Sequence, residues 1–168
     1  MTCLVRDFRE EDLDAVAAMC DARRQAYAAH QPVFWRPAPD ASSVGRSFLA
    51  EQASRDTTLA AVHESSGVVD GFVLASIVDA PPVYDPGGRT CGIDDYVVRE
   101  PALWAHAGPE LLGYVARLAA ERGAVQCVVV TSARDEPKRA MLRAAGASVA
   151  SEWYVLDVTR AAGAQPGP

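Results

Sequence analysis

Ile93-Asp94-Asp95-Tyr96-Val97-Val98, followed further on by Gly108-Pro109-Glu110-Leu111-Leu112, occupies the middle of the 168-residue chain. The first run is rich in β-branched and aromatic residues, and with its flanks it predicts a strand over 90–98. Gly108 and Pro109 then open a helix, because a proline at the first helical position lacks only an N–H that would have had no partner anyway. Leu111, Leu112, Val115, Leu118 and Ala119 form one apolar stripe along that helix, and Gly123 closes it as a left-handed C-terminal residue. Val125 through Val130 is an almost continuous apolar run, which predicts a strand buried on both faces. Strict alternation along the first strand puts Asp94 and Asp95 on opposite faces, so only one of them can face a given cleft.

Toward the N-terminus, residues 3–8 read as a strand, and Glu10, Glu11 and Asp12 favour a helix start through the helix dipole. Leu13, Val16, Cys20 and Tyr27 continue at helical spacing until Pro32, Pro37 and Pro39. Asp40 caps a second helix with Val44, Phe48 and Leu49 on its inner face. Residues 57–63 and 70–78 are two strands joined by a turn at Ser65-Ser66-Gly67. Pro81, Pro82, Gly87 and Gly88 exclude regular structure between the second of these and the strand over 90–98. Toward the C-terminus, Asp135 caps a short helix ending at Gly146, and a last strand covers roughly 149–158. The expectation is one α/β (α+β) domain over residues 1–160, with residues 161–168 as a disordered tail.

Hydrophobic residues make up 49% of the chain and charged residues 23%, as in ordinary globular proteins. A net charge of -6 argues against nucleic acid as a partner, since binding phosphates needs a basic face. Cys3, Cys20, Cys91 and Cys127 form no CxxC pair, so no metal site is expected and the four read as reduced, mostly buried thiols. No apolar run reaches the length of a signal peptide or of a membrane span, which gives a cytoplasmic expectation without a membrane partner.

The order of elements, together with the spacing from Val98 to Gly108, resembles the GNAT superfamily of acyl-CoA-dependent N-acetyltransferases over nearly the whole chain. Val5-Arg6-Asp7-Phe8 with Glu11-Asp12-Leu13 is similar to the family's opening strand and helix, and Val69 through Ala75 to its third strand. Asp135-Glu136-Pro137 looks like the Asn-x-Pro start of its fourth helix. The resemblance implies a mixed sheet of about six strands flanked by about four helices. It also implies acetyl-CoA as cosubstrate. The cofactor's pyrophosphate would sit on the helix N-terminus at Leu103, Ala105, His106, Ala107 and Gly108, and its pantetheine arm beside Val97 and Val98 like an added strand. Asp135 and Lys138 join this cofactor-binding set from the fourth helix. Arg134, Lys138 and Arg139 either meet the 3′-phosphate or form a solvated helix face.

The chain also departs from the family pattern. The turn lacks the Arg or Gln expected at 103 and the glycine expected at 106, and Leu142 stands where a tyrosine often acts as the acid for the leaving thiolate. Asp94 or Asp95 would be the catalytic base. Phe34-Trp35-Arg36 either shapes the acceptor pocket or packs in the core. Two readings therefore stand side by side. One is an enzyme moving an acetyl group from acetyl-CoA to the amine of a small molecule or peptide. The other is a catalytically weak or inactive binding or dimerisation module, a homodimer joined through the last strand being one form of it.

Overall fold

The computed structural model describes residues 3–161. Five strands form one sheet in the order β1 (Cys3–Asp7), β2 (Thr58–Ser65), β3 (Val68–Val78), β4 (Arg89–Val98) and β5 (Ala124–Val129). The first four run antiparallel to their neighbours, while β4 and β5 are parallel. A parallel pair needs a crossover, and α3 (Ala107–Glu121) supplies it. Ser66 and Gly67 both have positive φ, 51° and 81°, in the two-residue turn between β2 and β3. That geometry matches the natural twist of a hairpin.

Helices cover both faces. On one side, α1 (Leu13–His30) and α2 (Ala41–Ala53) bury Leu13, Val16, Met19 and Leu49 against Phe72, Leu74 and Val97. On the other, α3 and α4 (Glu136–Ala144) pack Leu111, Val115 and Met141 against Val73, Ile93 and Tyr96. A short turn, α5 (Val158–Ala161), ends the described chain. The tail expected to be disordered lies outside the described residues except for its first position.

Four expectations need correction. The sheet has five strands rather than about six, because residues 147–157 form no strand. The run 125–130 is not buried on both faces: as the last strand of the sheet β5 has a neighbour on one side only, and Val125 and Val128 are 54% and 46% exposed. On α2 only Leu49 is buried, whereas Val44 and Phe48 point outward. Of the four cysteines, Cys20 and Cys91 are buried but Cys3 and Cys127 are exposed, both lying on the outermost strands.

Arg6 fastens β1 to its surroundings. Its guanidinium donates to both Asp12 oxygens at 2.7 and 2.8 Å and to Glu64 Oε2 at 2.9 and 3.1 Å, joining β1, the start of α1 and β2. Burial alone would raise the Asp12 pKa, but the Arg6 bonds and the Arg9 N–H outweigh it and hold the carboxyl below its ordinary value. A carboxyl depressed in the folded state contributes stability above its unfolded pKa and loses that contribution as pH falls through the folded value. Replacing Arg6 by Met should therefore cost about 3 kcal/mol near neutral pH, the range for breaking a buried pair. Asp12→Asn should leave a shallower loss of stability below about pH 4. Urea titrations across the acid range read both outcomes.

Candidate functional site

The sheet forks between β4 and β5. Their ladder ends at Ile93↔Val129, with one further bond from the Val130 N–H to Ile93 O at 3.1 Å, while β4 runs on to Val98. A bulge drives the divergence. Leu74 pairs with Asp95 and the next residue, Ala75, with Ile93, so Asp94 is an extra residue in β4. Bulges bend a strand and increase its twist. They also break alternation. Ile93 and Tyr96, three positions apart, both lie in the core under α3, so the expectation that Asp94 and Asp95 take strictly opposite faces fails here. Asp95 is ion-paired with Arg23 of α1, and Arg23 also donates to Asp94 O at 3.1 Å. The Asp94 residue itself is exposed.

Lys138 fills the inner end of the fork. Its Nζ donates to Tyr96 O and to Val130 O, each at 3.0 Å, so one ammonium bridges the two diverging strands. It lies 5.1 Å from the Tyr96 ring centre and 5.5 Å from that of Trp104, and the residue is fully buried. Burial pulls its pKa down to about 7, aided by Arg23 and opposed by Asp135 and Asp95. The solvated-face expectation is thus corrected for Lys138. The signal was present in the sequence: Lys138, Met141 and Leu142 follow the i, i+3, i+4 spacing of the inner stripe of α4.

The end of α1 closes the same region. Tyr27 donates to Asp135 Oδ2 at 2.7 Å, and burial pushes its pKa up to about 12. Asp135 also caps α4 by accepting the Lys138 backbone N–H at 3.4 Å. His30 Nδ1 and Ser132 Oγ share a hydrogen bond at 2.8 Å. Phe34 is not core: it is 47% exposed and packs edge-on against Trp35, which in turn meets Tyr27 at 5.2 Å. Sequence reasoning missed Arg23, Tyr27, His30 and Ser132, whose partners are brought together only by the packing of α1 on the fork.

The turn after β4 is a 3-10 helix, Pro101–Ala105. Leu103 is partly buried, Ala105 and His106 are exposed, and Ala107 and Gly108 are buried. Trp104 turns inward and meets the Tyr96 ring at 4.8 Å. A Cβ on Gly108 would lie 3.0 Å from Trp104 and 3.1 Å from Met141, while the Tyr96 hydroxyl donates to Gly108 O. Glycine is needed there for close packing, whatever else the turn holds. Leu142 lines a groove of about 410 Å³ with Leu112, Ala116, Cys127 and Val129. Cys127 stands opposite Cys91 in the β4–β5 register, and that neighbouring thiol pulls its pKa down to about 7.

No protein-family model and no curated protein matches the chain. Solved structures do match. A mutant of the BH1408 protein from Bacillus halodurans is 13% identical with a TM-score of 0.80, over 92% of this chain and 98% of that one. A predicted acetyltransferase with acetyl-CoA from Clostridium acetobutylicum is 16% identical with a TM-score of 0.69, over 95% and 98%. The AAC(6')-Iy protein in complex with a CoA bisubstrate analog is 18% identical with a TM-score of 0.67, over 94% and 98%. The chain therefore has the fold of the GNAT acetyltransferases.

The Lys138 amine has a testable pH signature. Its folded pKa lies below the unfolded value of about 10.4, so between about pH 7 and pH 10 the unfolded chain binds more protons. Stability from this group should rise with pH across that window. Lys138→Met keeps an unbranched side chain of similar reach and should flatten the rise, as read from denaturant midpoints at successive pH values.

Proposed function

We propose that the protein is an N-acyltransferase that moves an acetyl group from acetyl-CoA to an amine acceptor. The fork carries this reading: β4 extends past its last pairing with β5 and presents unladdered backbone beside the N-terminus of α3. An extended pantetheine arm can add to such an edge as a strand does, and the helix N-terminus favours the pyrophosphate. Similar structures that hold acetyl-CoA or CoA support it. Lys138 already engages Tyr96 O, which leaves the backbone of Val97 and Val98 for the cofactor. Ala105 and His106 are the exposed part of the turn and meet the phosphates. Leu103, Ala107 and Gly108 shape the turn from inside, and Asp135 and Lys138 hold the fork in position.

In the reaction the acceptor amine attacks the thioester carbon, the C–S bond breaks and CoA leaves as a thiolate. The ammonium proton passes to Asp94, the aspartate with no side-chain partner among the described residues. Asp95 is committed to Arg23 and positions α1. Leu142 offers no proton, so the thiolate departs unassisted and takes its proton from water. Tyr27, Trp35 and Phe34 form an aromatic wall on the α1 side. Such a wall suits a cationic amine of a small molecule or a peptide.

Calorimetric titration of acetyl-CoA into the protein should give saturable binding. Absence of binding at high cofactor concentration would sink the proposal. Asp94→Asn should lower turnover by about tenfold or more, the low end of general-base assistance, with cofactor affinity unchanged. The rate of the parent should rise with pH and then level off, without an alkaline fall from an enzyme acid. A steep fall while the protein is still folded would reveal an acid that this arrangement omits.

A further inference from the structure

Two thiols face each other at the root of the fork. Cys91 of β4 and Cys127 of β5 are partners in the parallel register, two positions before the last pairing, Ile93↔Val129. Neighbouring strands lie about 4.7–4.9 Å apart, inside the Cα separation of about 4.4–6.8 Å that a disulfide needs. Both side chains lie on the face that α3 covers. Cys91 is fully buried in the core with Val115 and Ala119, while Cys127 is exposed and opens into the groove beside Leu112, Ala116 and Leu142. The two also differ in charge. The neighbouring Cys91 thiol draws the Cys127 pKa down to about 7, against the opposing effect of burial. Cys127 in turn, together with burial, drives Cys91 well above the ordinary thiol value. Near neutral pH one member of the pair is thus a partly ionised nucleophile open to solvent, and the other is a protonated thiol held behind it. The acyl transfer proposed for the fork uses neither.

We propose that Cys127 is a modification site for low-molecular-weight disulfides, with Cys91 as its resolving cysteine, so that the pair closes reversibly into a disulfide across the root of the fork. In the first step the Cys127 thiolate attacks one sulfur of the small disulfide. That S–S bond breaks, and one half leaves as a thiolate that takes a proton from water. The mixed disulfide left on Cys127 carries no charge, so the neighbour that keeps Cys91 protonated is gone. Cys91 then gives its proton to water, attacks Cys127 Sγ and expels the second half. Two cysteine thiols have been oxidised, and one small disulfide has been reduced to two thiols. An excess of small thiol runs both steps backward. Cys3 is also exposed, but it stands opposite Ser65 and has no thiol to resolve an adduct. The bridge joins β4 to β5 where the sheet divides, and so limits how far the two branches can separate. The inference stands whether or not the fork is catalytic, since it uses only register, burial and thiol chemistry.

The intact protein, incubated with oxidised glutathione near neutral pH, can be quenched in acid and digested without reductant. Mass spectrometry should find the Cys91 and Cys127 peptides joined with the loss of two hydrogens, and both thiols free again after excess reduced glutathione. Cys91→Ser keeps a small polar side chain at the buried position and should arrest the reaction at its first step, with glutathione held on Cys127. Cys91→Ala should trap the same adduct and serves if serine disturbs the core, as circular dichroism would show. Cys127→Ser should leave Cys91 unmodified, because Cys91 is fully buried. Glutathione retained on Cys127 of the parent beside a free Cys91 would overturn the resolving role. A Cys127 that stays free in the parent and in the folded Cys91 variant would overturn the site itself.

Discussion

A parallel pair of strands that diverges leaves backbone carbonyls facing a gap, and an unsatisfied carbonyl away from water is costly. Lys138 answers that constraint by donating to Tyr96 O on one branch and Val130 O on the other. Much else is arranged around it. The rings of Tyr96 and Trp104 lie close to the amine, Asp135 starts the helix that delivers it, and Tyr27 fixes Asp135 from α1. A side chain that looks like surface charge in the sequence is thereby the strut of the cleft.

The bulge at Asp94 determines how the two aspartates are placed. One extra residue in β4 separates the strands and takes the two aspartates out of alternation. The same residue leaves one carboxylate outside and the other in an ion pair. Two neighbours of identical type thus acquire different surroundings from local backbone geometry, a distinction that no rule of strand periodicity carries.

Much of the fold was legible, because it rests on local signals. Gly123 and Gly146 both end helices with positive φ, 82° and 85°. The hairpin turn at Ser66-Gly67 and the apolar stripe of α3 are where their spacing puts them. What failed depended on neighbours. The run 125–130 has the composition of a doubly covered strand, but coverage belongs to the sheet order, and β5 stands last. Val149 through Leu156 has strand composition but pairs with no strand among the described residues. Near the fork, the helix start expected at Gly108 lies one residue from the observed start at Ala107, while the contacts of Arg23, Tyr27 and His30 span long sequence separations and left no local trace.

Gly108 gives the cleft a second property. Trp104, Met141 and the Tyr96 hydroxyl all close on this one residue at the start of α3. A cleft floor built from core packing cannot loosen on its own; its backbone amides should exchange with solvent only when the molecule as a whole opens. A ligand entering the cleft would thus meet a rigid floor, and any adjustment to its size or shape would fall to the aromatic residues after α1.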